Sequence, residues 1–172
     1  MSDRILVAYA TMTGSTAGVA EAIGRTLQEK GMEVVVSRVE DVKDITPYRA
    51  VVLGSAIQDR QWLPQAMQFV QAHRAELASK PFATFAVCMT MAMKGGIYRS
   101  AVVDWLQPVR ALVSPVSEGF FAGILDISKV PKWSDRIKFR LSVLFGVWAE
   151  GDHRDWNAIR EWAGGLPAAL RL

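Results

Sequence analysis

The chain has 172 residues, 20 of them Lys or Arg and 17 Asp or Glu, which leaves a net charge of +3. Apolar residues make up 51% of it, which excludes a disordered or fibrous chain, and the length predicts one domain over residues 1–172. No apolar run reaches the roughly 20 residues of a membrane-spanning helix, and the N-terminus lacks a signal peptide, so we expect a cytoplasmic protein. The charge surplus is too small to indicate a nucleic-acid partner.

Short apolar runs alternate along the chain with segments of helical periodicity. The runs predict five strands, at residues 5–10, 34–36, 50–53, 82–88 and 116–125. The periodic segments predict helices at residues 17–28, 62–77, 98–112 and 155–170. This alternation predicts an α/β fold with a five-stranded parallel sheet and helices on both faces. The stretch between the fifth strand and the last helix is too long for a simple loop.

Hydroxyl side chains and one glycine join the first strand to the first helix. These residues are Thr11, Met12, Thr13, Gly14, Ser15 and Thr16. The free amides of a helix N-terminus, with hydroxyls beside them, bind an anion without help from Lys or Arg. Plain helix capping is the alternative, but a cap needs one hydroxyl and this turn has four. The loop lacks both the Gly-Lys-Ser/Thr and the Gly-x-Gly-x-x-Gly patterns, so it predicts a site for a single phosphate.

This loop resembles the Thr-x-Thr-Gly-x-Thr signature of the flavodoxin family, which binds the phosphate of flavin mononucleotide (FMN). Thr11, Thr13, Gly14 and Thr16 match the signature position by position. The resemblance implies a flavodoxin-like sheet with strand order 2-1-3-4-5 and FMN as the cofactor. The flavin ring is then expected at the loops that follow the third and fourth strands.

The resemblance further implies which residues flank the flavin ring. After the third strand they are Ser55, Ala56, Ile57 and Gln58. After the fourth strand they are Met89, Thr90, Met91, Ala92 and Met93. As an alternative, the alternating methionines continue the fourth strand into the core. Neither loop contains an aromatic residue, unlike typical flavodoxins, which predicts a ring open to a second substrate. No side chain is predicted to be catalytic, because the chemistry takes place at N5 of the flavin.

Segment 126–149 is a basic amphipathic insertion that carries the whole net charge of the chain. It contains five Lys or Arg and two Asp. An extra helix is predicted from residue 133 to 148, with one apolar stripe formed by Trp133, Ile137, Leu141, Leu144 and Trp148. Such a helix is typical of a membrane interface or of a hydrophobic-substrate site, and an extra core helix is the alternative.

Short matches elsewhere resemble the menaquinone-dependent protoporphyrinogen dehydrogenase branch of the same superfamily. They comprise residues 54–57, Phe69-Val70 with His73, Ala122-Gly123, Trp133 with Asp135-Arg136, and Asp155-Trp156. The resemblance implies oxidation of protoporphyrinogen on FMN, with a membrane quinone as electron acceptor.

Two main functions follow from these patterns. The first is an FMN-dependent oxidoreductase, peripheral on the inner face of the membrane, that uses a quinone or another small hydrophobic substrate. The alternative is a flavodoxin-type electron carrier that binds a redox protein partner. A flavodoxin-like domain that has lost its flavin fits poorly with the intact phosphate loop.

Overall fold

The strands of the sheet lie where short apolar runs occur, because β-branched residues pack well on a pleated surface that is buried on both sides. The computed structural model describes residues 4–172. Its strands are β1 (Ile5–Ala10), β2 (Val34–Arg38), β3 (Ala50–Gln58), β4 (Gln61–Trp62), β5 (Phe82–Val87), β6 (Ser117–Phe121), β7 (Ile124–Leu125) and β8 (Gly151–Asp152). The helices are α1 (Ser15–Glu29), α2 (Pro64–Ala72), α3 (Arg74–Ala78), α4 (Gly96–Asp104), α5 (Gln107–Arg110), α6 (Trp133–Leu144) and α7 (Trp156–Ala169).

The five long strands form a parallel sheet in the order β2-β1-β3-β5-β6. This confirms the predicted order 2-1-3-4-5, since β4 only pairs antiparallel with the end of β3 and the short β7 pairs with β8. Successive residues of β1 enter opposite layers of the core. Ile5 and Val7 pack with α1 and α7, whereas Leu6 and Ala8 pack with α2 and α5. The predicted helices on both faces are therefore confirmed.

Three predicted elements are divided in the structure. The predicted helix 62–77 begins only at Pro64, because Trp62 belongs to the hairpin of β3 and β4, and it is interrupted at His73. The predicted helix 98–112 is interrupted between α4 and α5. The predicted strand 116–125 is interrupted at residues 122 and 123, because β7 leaves the sheet to pair with β8.

The extra amphipathic helix is present as α6, but it is shorter than predicted. It ends at Leu144, and Gly146 follows with a φ of 71°, the left-handed conformation that commonly stops a helix. Trp148 therefore lies beyond the helix. No residue of α6 is buried, so the interpretation of this segment as an extra core helix is wrong.

Candidate functional site at the carboxyl edge of the sheet

The phosphate loop turns tightly between β1 and α1. Gly14 has a φ of 94°, which a residue with a side chain adopts only under strain, and its N–H donates to Oγ1 of Thr11 at 3.0 Å. Gly14 is also the N-cap position of α1, where no side chain accepts a capping hydrogen bond. Plain capping therefore does not account for the hydroxyls of this turn.

Thr16 provides a direct test of whether the loop suits a phosphate. Its side chain is fully buried in the first turn of α1, and its hydroxyl oxygen makes no hydrogen bond within residues 4–172. A buried hydroxyl without a partner costs about 1–3 kcal/mol. A phosphate oxygen at the start of α1 would accept from such a hydroxyl and from the free amides of the first turn. The residues present therefore fit the phosphate of FMN.

A cavity of about 850 Å³ opens beside this loop, at the carboxyl ends of the strands. Parallel α/β sheets bind their ligands at this edge. The predicted site residues that line it are Met12, Thr13, Ser15, Ala56, Ile57, Gln58, Met89 and Thr90. The structure thus brings the phosphate loop, the end of β3 and the turn after β5 to one cavity. The prediction that residues 54–58 form a loop after the third strand is wrong, because their pairing with β5 and β4 extends β3 to Gln58.

Other predicted residues lie near the cavity without lining it. They are Thr11, Gly14, Thr16, Ser55, Met91, Ala92 and Met93. Ser55 is fully buried, and its hydroxyl accepts from the N–H of Leu63 at 3.0 Å and donates to the carbonyl of Ala56 at 2.8 Å. The Ser55 hydroxyl therefore holds the end of β3 against Leu63, the residue before α2. The methionines do not continue the strand as the alternative held, because Met89–Ala92 forms one 3-10 turn.

Several residues of the cavity wall were not predicted from the sequence. Asp59 and Arg60 form the hairpin turn after β3, and Trp105 follows α4. Residues 123–126 also line the cavity, and the rule that ligands meet the carboxyl ends of strands would have indicated them. Trp105 carries no sequence signal that distinguishes it from a core residue.

The insertion supplies a whole wall of the cavity. Its lining residues are Asp126, Val130, Pro131, Lys132, Asp135, Lys138, Phe139, Ser142 and Trp148. Nζ of Lys138 lies 3.4 Å from Oδ1 of Asp135, and Nε of Arg136 donates to the carbonyl of Val130 at 2.6 Å. The ion pair lies within α6, and the hydrogen bond from Arg136 ties the helix to the stretch that leads into it. Segment 126–149 and the phosphate loop therefore face one cavity.

The chain just before the insertion passes close to the phosphate loop. A Cβ at Gly123 would lie 3.1 Å from Oγ of Ser15 and 3.2 Å from Cγ1 of Val87, so the backbone approaches the loop closely. The carbonyl of Gly123 accepts from the N–H of His153 at 3.0 Å. Beside it, two hydrogen bonds from the Arg154 guanidinium hold the pKa of Asp152 below its usual value.

We expect Cys88 to be an inert thiol, although it lines the cavity. The side chain is buried, and burial raises the pKa of its thiol. Because only the thiolate is nucleophilic, iodoacetamide at about pH 8 should alkylate Cys88 at least about tenfold more slowly in the folded protein than in guanidinium chloride. The rate in the folded protein should rise with pH beyond the ordinary range for cysteine. Mass spectrometry measures both rates without ambiguity, since the chain has one cysteine. Equal rates would contradict the buried environment.

Within residues 4–172, no group of three or more His, Cys, Asp or Glu side chains is arranged to hold a metal ion. No helix in that part of the chain is both long enough and apolar enough to cross a bilayer.

The fold and the loop define a class of proteins with a doubly wound sheet and a phosphate site after the first strand. The Flavodoxin domain family matches residues 6–151, and the chain belongs to this family.

Solved structures share the fold at low sequence identity. A short-chain flavodoxin associated with a non-canonical PDU bacterial microcompartment matches with a TM-score of 0.61 and 15% identity, over 99% of both chains. A flavodoxin mutant of Fusobacterium nucleatum bound to flavin mononucleotide matches with a TM-score of 0.54 and 12% identity, over 99% of this chain and 96% of the other. The flavodiiron protein of Giardia intestinalis matches with a TM-score of 0.55 and 16% identity, over 99% of this chain and 37% of that one.

Proposed function

We propose that this chain is an FMN-dependent oxidoreductase that exchanges electrons with a small hydrophobic molecule at the inner face of a membrane. A quinone is the electron acceptor in this proposal, and protoporphyrinogen is the substrate that the sequence resemblance favours. The observation that carries the proposal is the position of α6, whose residues form a wall of the same cavity that the phosphate loop lines. An FMN-binding loop and a site for a second molecule then share one space.

The loops around the cavity have distinct tasks in binding FMN. Thr13, Ser15 and Thr16 provide hydroxyls for the phosphate, beside the free amides of α1. Ile57 and Met89 present apolar surface of the kind that packs against a flat ring. When bound, FMN supplies the electron or hydride transfer, and the protein supplies orientation and electrostatics. No histidine lines the cavity among residues 4–172.

The insertion favours a hydrophobic second molecule. Val130, Pro131, Phe139 and Trp148 supply apolar surface on its side of the cavity, among polar and charged lining residues of the same segment. Each quinone takes up two electrons and two protons and leaves as the quinol, so three quinones accept the six electrons and six protons that one porphyrinogen loses when it becomes the porphyrin.

Reoxidation of the bound flavin by a quinone tests the proposal. The flavin is reduced with light without oxygen and then mixed with menadione in a stopped-flow instrument. Phe139 lines the cavity, whereas Phe145 is 77% exposed just after the same helix. Phe139→Ala should lower the second-order rate constant about tenfold and leave the FMN dissociation constant unchanged, because one aromatic contact to the quinone is lost. Phe145→Ala, the matched control, should leave both quantities unchanged.

Three outcomes would count against the proposal. A protein that stays colourless with added FMN would contradict both the enzyme and the carrier. A flavin that reacts equally fast in wild type and Phe139→Ala would remove the assigned role of the insertion. Slow reaction with quinone combined with fast reaction with a redox protein would favour the second candidate.

An electron carrier is that second candidate. Membership of the flavodoxin domain family supports it, since carriers of this class exchange electrons with protein partners. The charge of the chain weighs against it, because carrier flavodoxins are strongly acidic and this chain has a net charge of +3. The same stopped-flow instrument, with an acidic redox protein in place of menadione, measures this activity directly.

A further inference from the structure

The outward side of the insertion is an exposed apolar surface. Nine large apolar side chains are exposed among residues 4–172, and six of them lie between residues 133 and 147. They are Trp133, Ile137, Leu141, Leu144, Phe145 and Val147. Trp133 is 75% exposed, and Leu144 and Phe145 are 77% exposed. Soluble surfaces rarely concentrate large apolar side chains in this way, and such a patch marks a site of interaction.

The two sides of α6 face different surroundings. Helical periodicity places Trp133, Ile137, Leu141 and Leu144 on one side of the helix, and they are exposed. Asp135, Phe139 and Ser142 lie on the opposite side and line the cavity. The exposed side is therefore an additional surface, which the cavity does not use.

Positive charge accompanies this apolar surface. Arg140 is exposed on the same side of the helix as this surface. Lys132 is also exposed, at the start of α6, but it lines the cavity. The Lys129 and Lys138 side chains are 61% and 77% exposed and pair with Asp126 and Asp135. Apolar residues with Trp, bordered by Lys and Arg, have the composition of helices that lie in the headgroup region of an anionic bilayer. A second copy of this chain is a poor occupant, because self-association through this face would bring two positively charged segments together.

We propose that the exposed side of α6, with the turn that follows it, binds the surface of an anionic lipid bilayer. The helix lies in the interface with Trp133, Ile137, Leu141 and Leu144 toward the acyl chains, and Arg140 meets lipid phosphates. Because the opposite side of α6 is a wall of the cavity, the hydrophobic electron partner enters from the lipid. This last step rests on the proposed function, whereas the lipid contact does not.

Cosedimentation with vesicles tests the lipid contact on the full FMN-loaded chain. The vesicles contain phosphatidylcholine with about one quarter phosphatidylglycerol, at low and at high salt. The double variant Ile137→Asp with Leu141→Asp should lower the partition coefficient about a hundredfold, because two apolar contacts are replaced by repelled charges. Val116→Asp is the control, since Val116 is 56% exposed directly before β6, at the amino ends of the strands and away from α6. Its substitution should leave the partition coefficient unchanged.

A separate variant tests whether the positive charge of Arg140 contributes to binding of anionic vesicles. Arg140→Gln should weaken binding to the anionic vesicles about fivefold and leave binding to pure phosphatidylcholine unchanged. High salt should reduce the binding of wild type to the anionic vesicles, because exposed charges are screened.

Several results would overturn the lipid assignment. Wild-type protein that remains in the supernatant at low salt would be one such result, and a double variant that sediments like wild type would be another. A wild-type dimer that the same two substitutions dissociate would show that this surface binds a second copy of the chain. Circular dichroism and the FMN dissociation constant show that each variant is folded. Protein that binds vesicles but not FMN contradicts the proposed electron transfer and leaves the lipid contact standing. FMN-loaded protein that reacts with menadione but ignores vesicles contradicts the lipid contact and the membrane location and leaves the electron transfer standing.

Discussion

Replacing both Thr13 and Thr16 with valine should lower the affinity for FMN about a hundredfold or more. Each hydroxyl would lose a hydrogen bond to a charged phosphate oxygen, and such bonds contribute about 1.5–3 kcal/mol each. Valine keeps the shape of threonine, so the loop and the first turn of α1 should remain in place. Quenching of FMN fluorescence on titration with the protein measures the dissociation constant.

The matched control for this prediction lies in the same helix. The hydroxyl of Thr26 donates to the carbonyl of Ala22 at 2.9 Å, far from the phosphate loop, so Thr26→Val should leave FMN affinity unchanged. Thr16→Val should not lower the free energy of unfolding of the FMN-free protein, because the buried hydroxyl has no partner there to lose. A variant that loses stability but keeps FMN would show that Thr16 serves the fold.

Gly54→Ala should lower the free energy of unfolding by about 3 kcal/mol. Gly54 lies opposite Phe85 in the pairing of β3 with β5, and a Cβ at Gly54 would overlap the aromatic ring. Phe85 is fully buried between α1, α7 and the sheet, so its ring has little room to move. Urea denaturation measures the loss. FMN affinity should fall as well, because the end of β3, which follows Gly54, lines the cavity.

Two further variants test whether overlap with the ring of Phe85 causes the loss of stability in Gly54→Ala. Gly165→Ala is the control, because it lies in α7, where an added Cβ meets nothing within 4 Å, and it should raise the free energy of unfolding by about 0.5–1 kcal/mol. Phe85→Leu makes room for the new methyl group, so the double variant with Gly54→Ala should be more stable than the sum of the two single losses by about 1 kcal/mol or more. Strict additivity would mean that the ring of Phe85 does not cause the loss.

Much of the fold could be predicted because its signals are local. Most of the long strands contain a short apolar run between polar turns, and the phosphate loop lies within six consecutive residues. The hairpin of β3 and β4 was missed for a physical reason. Its turn residues, Asp59 and Arg60, have φ values of 50° and 65°. Asp is common at the first position of such a turn, but the second position usually requires Gly, and Arg60 occupies it. The sequence therefore lacks the ordinary signal for this turn.

The remaining differences depend on contacts between distant parts of the chain. Alternate methionines after β5 have the periodicity of a strand, but the strand ends at Val87, where its pairing with both neighbouring strands ends. The interruption after β6 depends on pairing with Gly151–Asp152, which is remote in sequence. Which side of α6 faces the cavity is also set by packing, since apolar residues occur on both sides of the helix. The residues of the site thus could be assigned by loop, while their individual contacts could not.

The antiparallel pairing of β7 with β8 brings the two ends of the insertion side by side, with Leu125 opposite Gly151. A segment that leaves and re-enters a scaffold at one point behaves as a module. Its length can change during evolution without moving the strands that hold the phosphate loop, because closing a longer loop adds only a small entropic cost. The segment held by this hairpin therefore adds a wall to the cavity and an exposed apolar surface to the sheet that carries the phosphate loop.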